Sequence, residues 1–342
     1  MNRIFQIYGR LCLFCIGLFF VLTPVCAAPT GEFIFVHPVS RSEIWISNAE
    51  GTTARKLFRQ AFSDIDKIEV QENGNYVLVV AGKAIFEGNN IQVFSGFELF
   101  LLDQQHPGRK AKNLTLGRIT DFVDADISKN GDVAFIRRPG IRLIRNEELA
   151  KPEPKIELLF DAMMEWNSNL FDIEWSPDGK HIAFTTHDGL YLLDVGTKDV
   201  FRITEKDAYN PVFSPNGKQI AYSTVLARNG KLWTTAIAVI SVQPDAKPEI
   251  VHTKKDYVYD VDSWSPDGKF IAYRSYTHKE LVNIEIFRTL GNFVIPATGG
   301  EPEPILITMK DTVLSLDWDN KTYPVEPADS LVTTWGKLKA QK

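Results

Sequence analysis

Short apolar runs separated by polar turns repeat along the chain, and this pattern predicts β-strands throughout. The clearest turn is Ser-Pro-Asp-Gly-Lys at 176–180 and 265–269, which returns as Ser-Pro-Asn-Gly-Lys at 214–218. Ser, Pro and Asp suit the first three positions of a type I turn, and Gly accepts the left-handed conformation at the fourth. Apolar stretches flank every copy, so each copy predicts a β-hairpin. A segment that recurs every few tens of residues indicates a repeat protein.

Weaker copies of the hairpin raise the number of repeats to six. Each copy has an apolar residue immediately before the position of the turn serine, here called the anchor; the anchors are Val70, Ile127, Trp175, Phe213, Trp264 and Trp318. One strand near the N-terminus, Phe33–Val36, has no hairpin partner before it, and the last anchor strand, Val313–Trp318, has none after it. We predict that these two strands pair, because a shared sheet closes the ring and removes an exposed edge.

Further strands follow each hairpin in the same rhythm. Val77–Ala81 and Ile237–Ile240 are continuous apolar runs, as expected when both faces of a sheet are covered. Six four-stranded antiparallel units with such burial predict an all-β fold, the six-bladed β-propeller. We expect the anchor tryptophans to pack between blades. Insertions at 84–96, 139–169 and 276–292 are expected to form loops.

The repeat resembles the WD40-like repeat of the TolB-like propeller family. The family signature Trp-Ser-Pro-Asp-Gly-Lys-x-Ile-Ala-Phe is matched at Trp175–Phe184 and, with a final tyrosine, at Trp264–Tyr273. The resemblance runs from Gly31 to Trp318 and implies a propeller. TolB carries an additional α/β domain ahead of its propeller, and this chain is expected to be a stand-alone relative without it. The colicin and Pal partnerships of TolB are therefore not carried over.

The first 27 residues have the features of a secretory signal peptide. Arg3 and Arg10 precede the uncharged apolar run Leu11–Leu22, and small residues ending at Ala27 supply a cleavage site. Cys26 also permits a lipoprotein interpretation, although the residues before it make a poor lipobox. We therefore predict a signal peptide at 1–27, a propeller at 28–319 and a polar tail at 320–342, in a periplasmic or secreted protein.

Cysteine usage and charge narrow the classes of partner. The three cysteines, Cys12, Cys15 and Cys26, all lie in the predicted leader, so the mature chain has neither a disulfide nor a thiolate metal site. The formal charge of −5 argues against nucleic acid or anionic lipid as the main partner. No later apolar run is long enough to predict a membrane span. We expect a monomer that binds a protein or peptide.

Acidic and aromatic residues occur in the segments that lead into the first strand of each repeat. In a propeller these connections meet around one mouth of the channel, where they form a rim suited to a cation or to basic groups of a partner. The candidate binding residues are Asp64, Asp121, Asp207, Tyr209, Asp256, Tyr257 and Asp311. The alternative is structural, because aspartate favours turns and aromatic side chains fill the spaces between blades.

The sequence carries no recognised catalytic motif. The six histidines lack metal-ligand spacing, and there is neither a Gly-x-Ser-x-Gly elbow nor a glycine-rich phosphate loop. His181 occupies a variable turn position and is expected at the surface. We predict a non-enzymatic binding scaffold without a cofactor. The alternatives are a lactonase-like metal-dependent hydrolase, with a channel calcium ion near Asp64, Asp121 and Asp207, and a sugar-binding protein.

Overall fold

The structure is a computed structural model that describes residues 31–318, except 59, 61, 63, 72, 88–89, 118–121, 163–168, 206, 230–231, 282–283, 309–312 and 314. The predicted signal peptide and polar tail lie outside the described residues. The strands form six four-stranded antiparallel sheets. Within the described ranges, no helix is long and apolar enough to cross a membrane. The all-β, six-bladed propeller is therefore confirmed.

The blades are numbered in chain order, and their strands are given from the channel outward. Blade 1 is β24 (Leu316–Trp318), β1 (Glu32–Val36), β2 (Ile44–Asn48) and β3 (Arg55–Lys56). Blade 2 is β4 (Ile65–Val70), β5 (Tyr76–Glu87), β6 (Asn90–Asp103) and β7 (Lys112–Asn113). Blade 3 is β8 (Phe122–Ile127), β9 (Val133–Arg137), β10 (Gly140–Ile144) and β11 (Glu157–Asp161), with a 3-10 helix at Asn146–Glu148.

The second half of the chain continues the same arrangement. Blade 4 is β12 (Ile173–Trp175), β13 (His181–Thr186), β14 (Gly189–Asp194) and β15 (Val200–Thr204). Blade 5 is β16 (Ala208–Phe213), β17 (Gln219–Asn229), β18 (Leu232–Ser241) and β19 (Glu249–Thr253). Blade 6 is β20 (Tyr257–Trp264), β21 (Phe270–Leu281), β22 (Ile284–Pro296) and β23 (Glu303–Ile305).

The two chain ends close the ring in blade 1. Strand β24 pairs antiparallel with β1, which places Phe33 opposite Trp318 and Phe35 opposite Leu316. The ring centroids of Phe33 and Trp318 are 4.3 Å apart. This pairing confirms the predicted closure and joins residues that are almost 300 positions apart in the sequence.

The repeated turn has the geometry that its residues predict. The glycine N–H donates to the serine carbonyl in all three clear copies, for example from Gly179 to Ser176 at 2.8 Å. Gly179, Gly217 and Gly268 have φ values of 68°, 66° and 71°, the left-handed region that favours glycine. The serine hydroxyl also donates to the aspartate two residues on, as Ser265 does to Asp267 at 2.7 Å. Each turn therefore holds its hairpin in one register.

The hydrophobic core lies between the blades, in six separate clusters. Every anchor residue enters a different cluster, formed by its own blade and the blade before it in the ring. Trp264, for example, is buried and donates its Nε1–H to the Val212 carbonyl of blade 5 at 3.0 Å. The predicted packing role of the anchor tryptophans is confirmed.

Two predictions about local structure are wrong. The insertions at 84–96 and 276–292 lengthen the hairpins β5–β6 and β21–β22, because the strands continue to pair beyond the blade, and 139–169 contains β10 and β11. His181 is 2% exposed, not at the surface, and its ring lies between Asp178 and Asp194. The side chain points inward because residue 181 begins the returning strand β13, beneath the turn that joins β14 to β15.

Candidate functional site in the central channel

The innermost strand of each blade places alternate residues in two environments, since side chains alternate along a strand. The anchors enter the hydrophobic clusters, and the residues immediately before them face the channel side; these are Glu69, Asp126, Glu174, Val212, Ser263 and Asp317. A second layer lies two positions earlier in several blades and contains Lys67, Asp124, Asp172, Asn210 and Ser315. A β-bulge between Val261 and Ser263 adds Asp262 to the lining. The second layer, together with Glu69, Glu174 and Val212, encloses a cavity of about 260 Å³. Asp126, Ser263 and Asp317 line a smaller neighbouring cavity of about 100 Å³.

Four of the channel aspartates connect neighbouring blades. Each accepts a hydrogen bond from a backbone N–H of the next innermost strand: Asp317 from Val70 at 2.9 Å, Asp124 from Ile173 at 2.9 Å, Asp126 from Trp175 at 2.5 Å and Asp172 from Asn210 at 3.2 Å. The innermost strand has no further strand on its channel side. Its backbone N–H groups on that side therefore need acceptors other than a neighbouring strand. These four carboxylates therefore have a structural role.

Two cations offset part of the negative charge in the channel. Lys67 Nζ lies 2.6 Å from Glu69 Oε1 and 2.8 Å from Asp124 Oδ1. Arg274 Nε contacts both oxygens of Asp262, at 2.9 and 3.1 Å. The carboxylates lining the channel nevertheless outnumber these two cations, because Asp126, Asp172, Glu174 and Asp317 also face it.

Glu174, like Asp66, is a channel carboxylate without a direct partner in the described part of the chain. Glu174 accepts no hydrogen bond and forms no ion pair there. Carboxylate oxygens of Glu69, Asp126 and Glu174 lie within 4.8 Å of one another. Burial, followed by the charges of Asp126 and Glu69, raises the pKa of Glu174 well above its usual value. A group of this kind is stabilised by a proton or by a cation placed among the three carboxylates.

The other channel acids share this electrostatic character. Burial raises the pKa of Asp126 and of Asp172 to about 6, although hydrogen bonds from the backbone oppose the shift. Burial likewise raises the pKa of Asp262 and of Asp317 to about 7. The channel acids therefore retain protons to a higher pH than exposed carboxylates do, and a bound cation would displace those protons.

The predicted rim residues lie away from this cavity. Asp64 forms an ion pair with Arg41 at 2.9 Å, and Asp207 forms one with Arg228. Asp256 is exposed, with a φ of 63°, and its N–H donates to Thr234 Oγ1 at 3.1 Å.

The predicted aromatic rim residues also have local neighbours. Lys254 Nζ lies 4.3 Å from the ring centroid of Tyr257. Tyr209 is partly buried, 6.4 Å from Phe171 between ring centroids. None of the five described rim residues lines the channel cavity, and Asp121 and Asp311 lie outside the described residues. A binding role for the rim stays a prediction.

Sequence reasoning missed most of the channel acids, although a signal was present. Four of the six residues that precede the anchors are acidic, namely Glu69, Asp126, Glu174 and Asp317. Once the anchors are aligned and assigned to the hydrophobic clusters between blades, the alternation of side chains along a strand places these acids on the channel side. Alternation does not predict that Asp262 lines the channel, because a β-bulge shifts the alternation at that point.

Two solved structures share this architecture. TolB from Acinetobacter baumannii superposes with a TM-score of 0.55 and 16% identity, over 84% of this chain and 66% of that one. The putative TolB from Agrobacterium tumefaciens gives a TM-score of 0.52 and 17% identity, over 85% of this chain and 90% of that one. The fold is thus that of a TolB-like six-bladed β-propeller.

Sequence comparison adds one curated relative. Dipeptidyl-peptidase 5 of Porphyromonas gingivalis is 26% identical over 191 residues, which is 49% of this chain. The aligned region spans only 27% of that protein. No family model matches the chain. The comparisons therefore establish the propeller fold, and function has to be argued from the site.

Proposed function

We propose that this protein is a non-enzymatic binding scaffold for a protein or peptide partner, and that its channel receives a positively charged group of that partner. The observation that carries the proposal is the carboxylate of Glu174, which has no hydrogen-bond or ion-pair partner among the described residues and is grouped with the carboxylates of Glu69 and Asp126. A lysine ammonium or an N-terminal amine provides the charge and the N–H donors that such a group lacks.

The electrostatics of the channel favour this class of ligand. Desolvation is the main cause of the raised pKa values of Asp317 and Asp262, and repulsion from neighbouring carboxylates adds to it. A cationic side chain that enters the channel relieves both effects. Exposed acids at the rim, such as Asp256, would attract the same ligand from solution.

The TolB-like fold and the predicted signal peptide support a location in the cell envelope. The two solved structures described above are a TolB and a putative TolB, and the leader has the pattern expected for export. We therefore propose that the partner is a periplasmic or secreted protein or peptide. The rim acids Asp64 and Asp207 belong to this proposal as contacts that a partner gains by displacing Arg41 and Arg228.

The test is a calorimetric titration of the purified protein with a short lysine-containing peptide. We expect saturable binding that weakens as salt is added, and no binding of the same peptide after acetylation of its amines. Glu174→Gln keeps the size of the side chain and should weaken binding at least tenfold. Glu249→Gln, on the exposed outer strand β19, is the matched control and should leave binding unchanged. Equal affinity in the wild type and Glu174→Gln would contradict the proposal.

The metal-dependent hydrolase is the second candidate, because the ligand atoms of Glu69, Asp126 and Glu174 lie within 4.8 Å of one another. Calcium prefers carboxylate oxygens, and three such groups would form part of its coordination shell. A calcium titration separates the candidates. Micromolar affinity that is lost in Glu174→Gln favours the metal site. Affinity no tighter than millimolar, unchanged by that substitution and by Asp64→Asn, excludes it.

A further inference from the structure

Two arginines share one face of blade 3 and have no charged partner there. Arg137 ends β9, and Arg142 lies in β10, the next strand of the same hairpin. The register pairs Arg137 with Gly140 and Arg142 with Phe135. Since paired residues on adjacent strands project from the same face, both guanidinium groups lie on the side of Phe135, which packs against blade 2.

Both arginines lack acceptors for part of their hydrogen-bonding capacity. The Nε atoms of Arg137 and Arg142 are shielded from solvent and have no hydrogen-bond partner. No ion pair within 4.0 Å involves either guanidinium among the described residues. Burial, with the nearby charge of Arg137, lowers the pKa of Arg142, and the charge of Asp161 opposes the shift. Two partly desolvated cations on one face repel each other and leave N–H donors unused.

Each arginine has an apolar residue opposite it on a neighbouring strand. Phe122 lies opposite Arg137 in the pairing of β8 with β9, and its ring is 6.5 Å from that of Phe97 in blade 2. Leu158 lies opposite Arg142 in the pairing of β10 with β11 and is 46% exposed. This face of blade 3 thus combines apolar surface with two half-buried cations that form no ion pair among the described residues.

We propose that this face of blade 3, with Arg137, Arg142, Phe122 and Leu158, binds an organic carboxylate that carries an apolar substituent. The carboxylate accepts hydrogen bonds from both guanidinium groups and relieves their repulsion, as planar anions do with arginine. The apolar substituent covers Phe122 and Leu158. This site is independent of the channel proposal, since it lies in another part of blade 3 and selects the opposite charge.

Titration of the purified protein with hexanoate tests the site. We expect saturable binding that weakens at least tenfold in Arg142→Gln and in Arg137→Gln. Arg55→Gln, an exposed arginine on the outer strand β3, is the control and should bind hexanoate as the wild type does. Circular dichroism and the thermal midpoint of each variant establish that it is folded, so that a loss of binding reports on the site.

The choice of ligands tests the chemistry of the site. Hexylamine should not bind, and inorganic phosphate should bind at least tenfold more weakly than hexanoate, because it makes no apolar contact. A peptide ending in leucine identifies the source of the carboxylate, and its amidated form, which has no carboxylate, is the control. Tighter binding of the free peptide than of hexanoate points to a peptide C-terminus, and weaker binding points to a free acid. Absence of saturation, phosphate binding as tight as hexanoate, or undiminished affinity in Arg142→Gln would overturn the proposal.

Discussion

The anchor residues and the channel acids occupy neighbouring positions on the same strands, yet the anchors pack between blades and the acids line the channel. Trp318 is fully buried and packs against Phe33 across the closing seam, whereas the preceding residue, Asp317, faces the channel with a raised pKa. The anchors are apolar in all six blades, while the residues before them range from Val212 to Glu174. The anchors hold adjacent blades together, and the channel positions give each blade a different chemistry.

Trp318→Ala should produce the largest effect on the anchor side of this comparison. It removes a fully buried indole at the point where the chain ends meet, so we expect a loss of about 3–5 kcal/mol in the free energy of unfolding. Denaturant unfolding measures it. Trp45→Ala, at a half-buried position of the same blade, is the control and should cost less. Equal losses would mean that the closing seam contributes nothing beyond ordinary burial.

Asp126 tests whether a channel acid also stabilises the fold. Asp126→Ala leaves the Trp175 N–H without its acceptor, and we expect a loss of about 1–3 kcal/mol in denaturant unfolding. Asp126→Asn retains an oxygen acceptor but removes a charge from the acidic group, so it should be close to neutral at pH 7. If both variants lose the same stability, the charge itself holds the blades together and the hydrogen bond does not.

The pH dependence of stability should distinguish the channel from the rest of the molecule. An acid whose pKa is higher in the folded than in the unfolded state binds more protons when folded, so stability falls as pH rises between the two values. For Asp262 and Asp317 this window runs from 3.8 to about 7. We expect the thermal midpoint to fall from pH 5 to pH 7, with a loss on the order of 1 kcal/mol in the free energy of unfolding.

Asp317→Asn should flatten that fall, since the amide does not titrate. Asp103 provides the opposite case: hydrogen bonds from His106 and the backbone lower its pKa despite desolvation. Its contribution to stability is present above the unfolded pKa and is lost at lower pH, outside the window of the channel acids. A thermal midpoint that rises steadily from pH 5 to pH 7 would show that the channel carboxylates are ionised without penalty.

The smallest effect is expected at the rim. Arg41→Gln breaks an exposed ion pair with Asp64 and should change the free energy of unfolding by less than about 1 kcal/mol. If the rim assists the channel, the freed carboxylate should nevertheless strengthen binding of a lysine peptide, as measured by calorimetry. Unchanged affinity would indicate that the rim does not contribute to peptide binding and that the peptide is bound by the channel interior alone.

Much of the fold could be predicted because its determinants are local and repeated. A turn such as Ser176–Lys180 specifies a hairpin by backbone preferences alone, and Gly179 shows the expected positive φ. The count of anchors predicted six blades, and the unpaired strand Phe33–Val36 predicted how the ring closes. Hairpin length was not predictable in the same way, because whether an insertion pairs depends on its register with the opposing strand.

The sequence by itself determined the repeat, the number of blades and the burial of the anchors, since these follow from turn chemistry and from the alternation of apolar residues. Only the tertiary structure brought Glu69, Asp126 and Glu174 together, because they come from three blades and meet only when the ring is closed. It also decided that Arg137 and Arg142 share a face, which depends on a cross-strand register. Contacts between side chains of different blades are decided by packing geometry, which the turn and strand pattern of a single repeat does not encode.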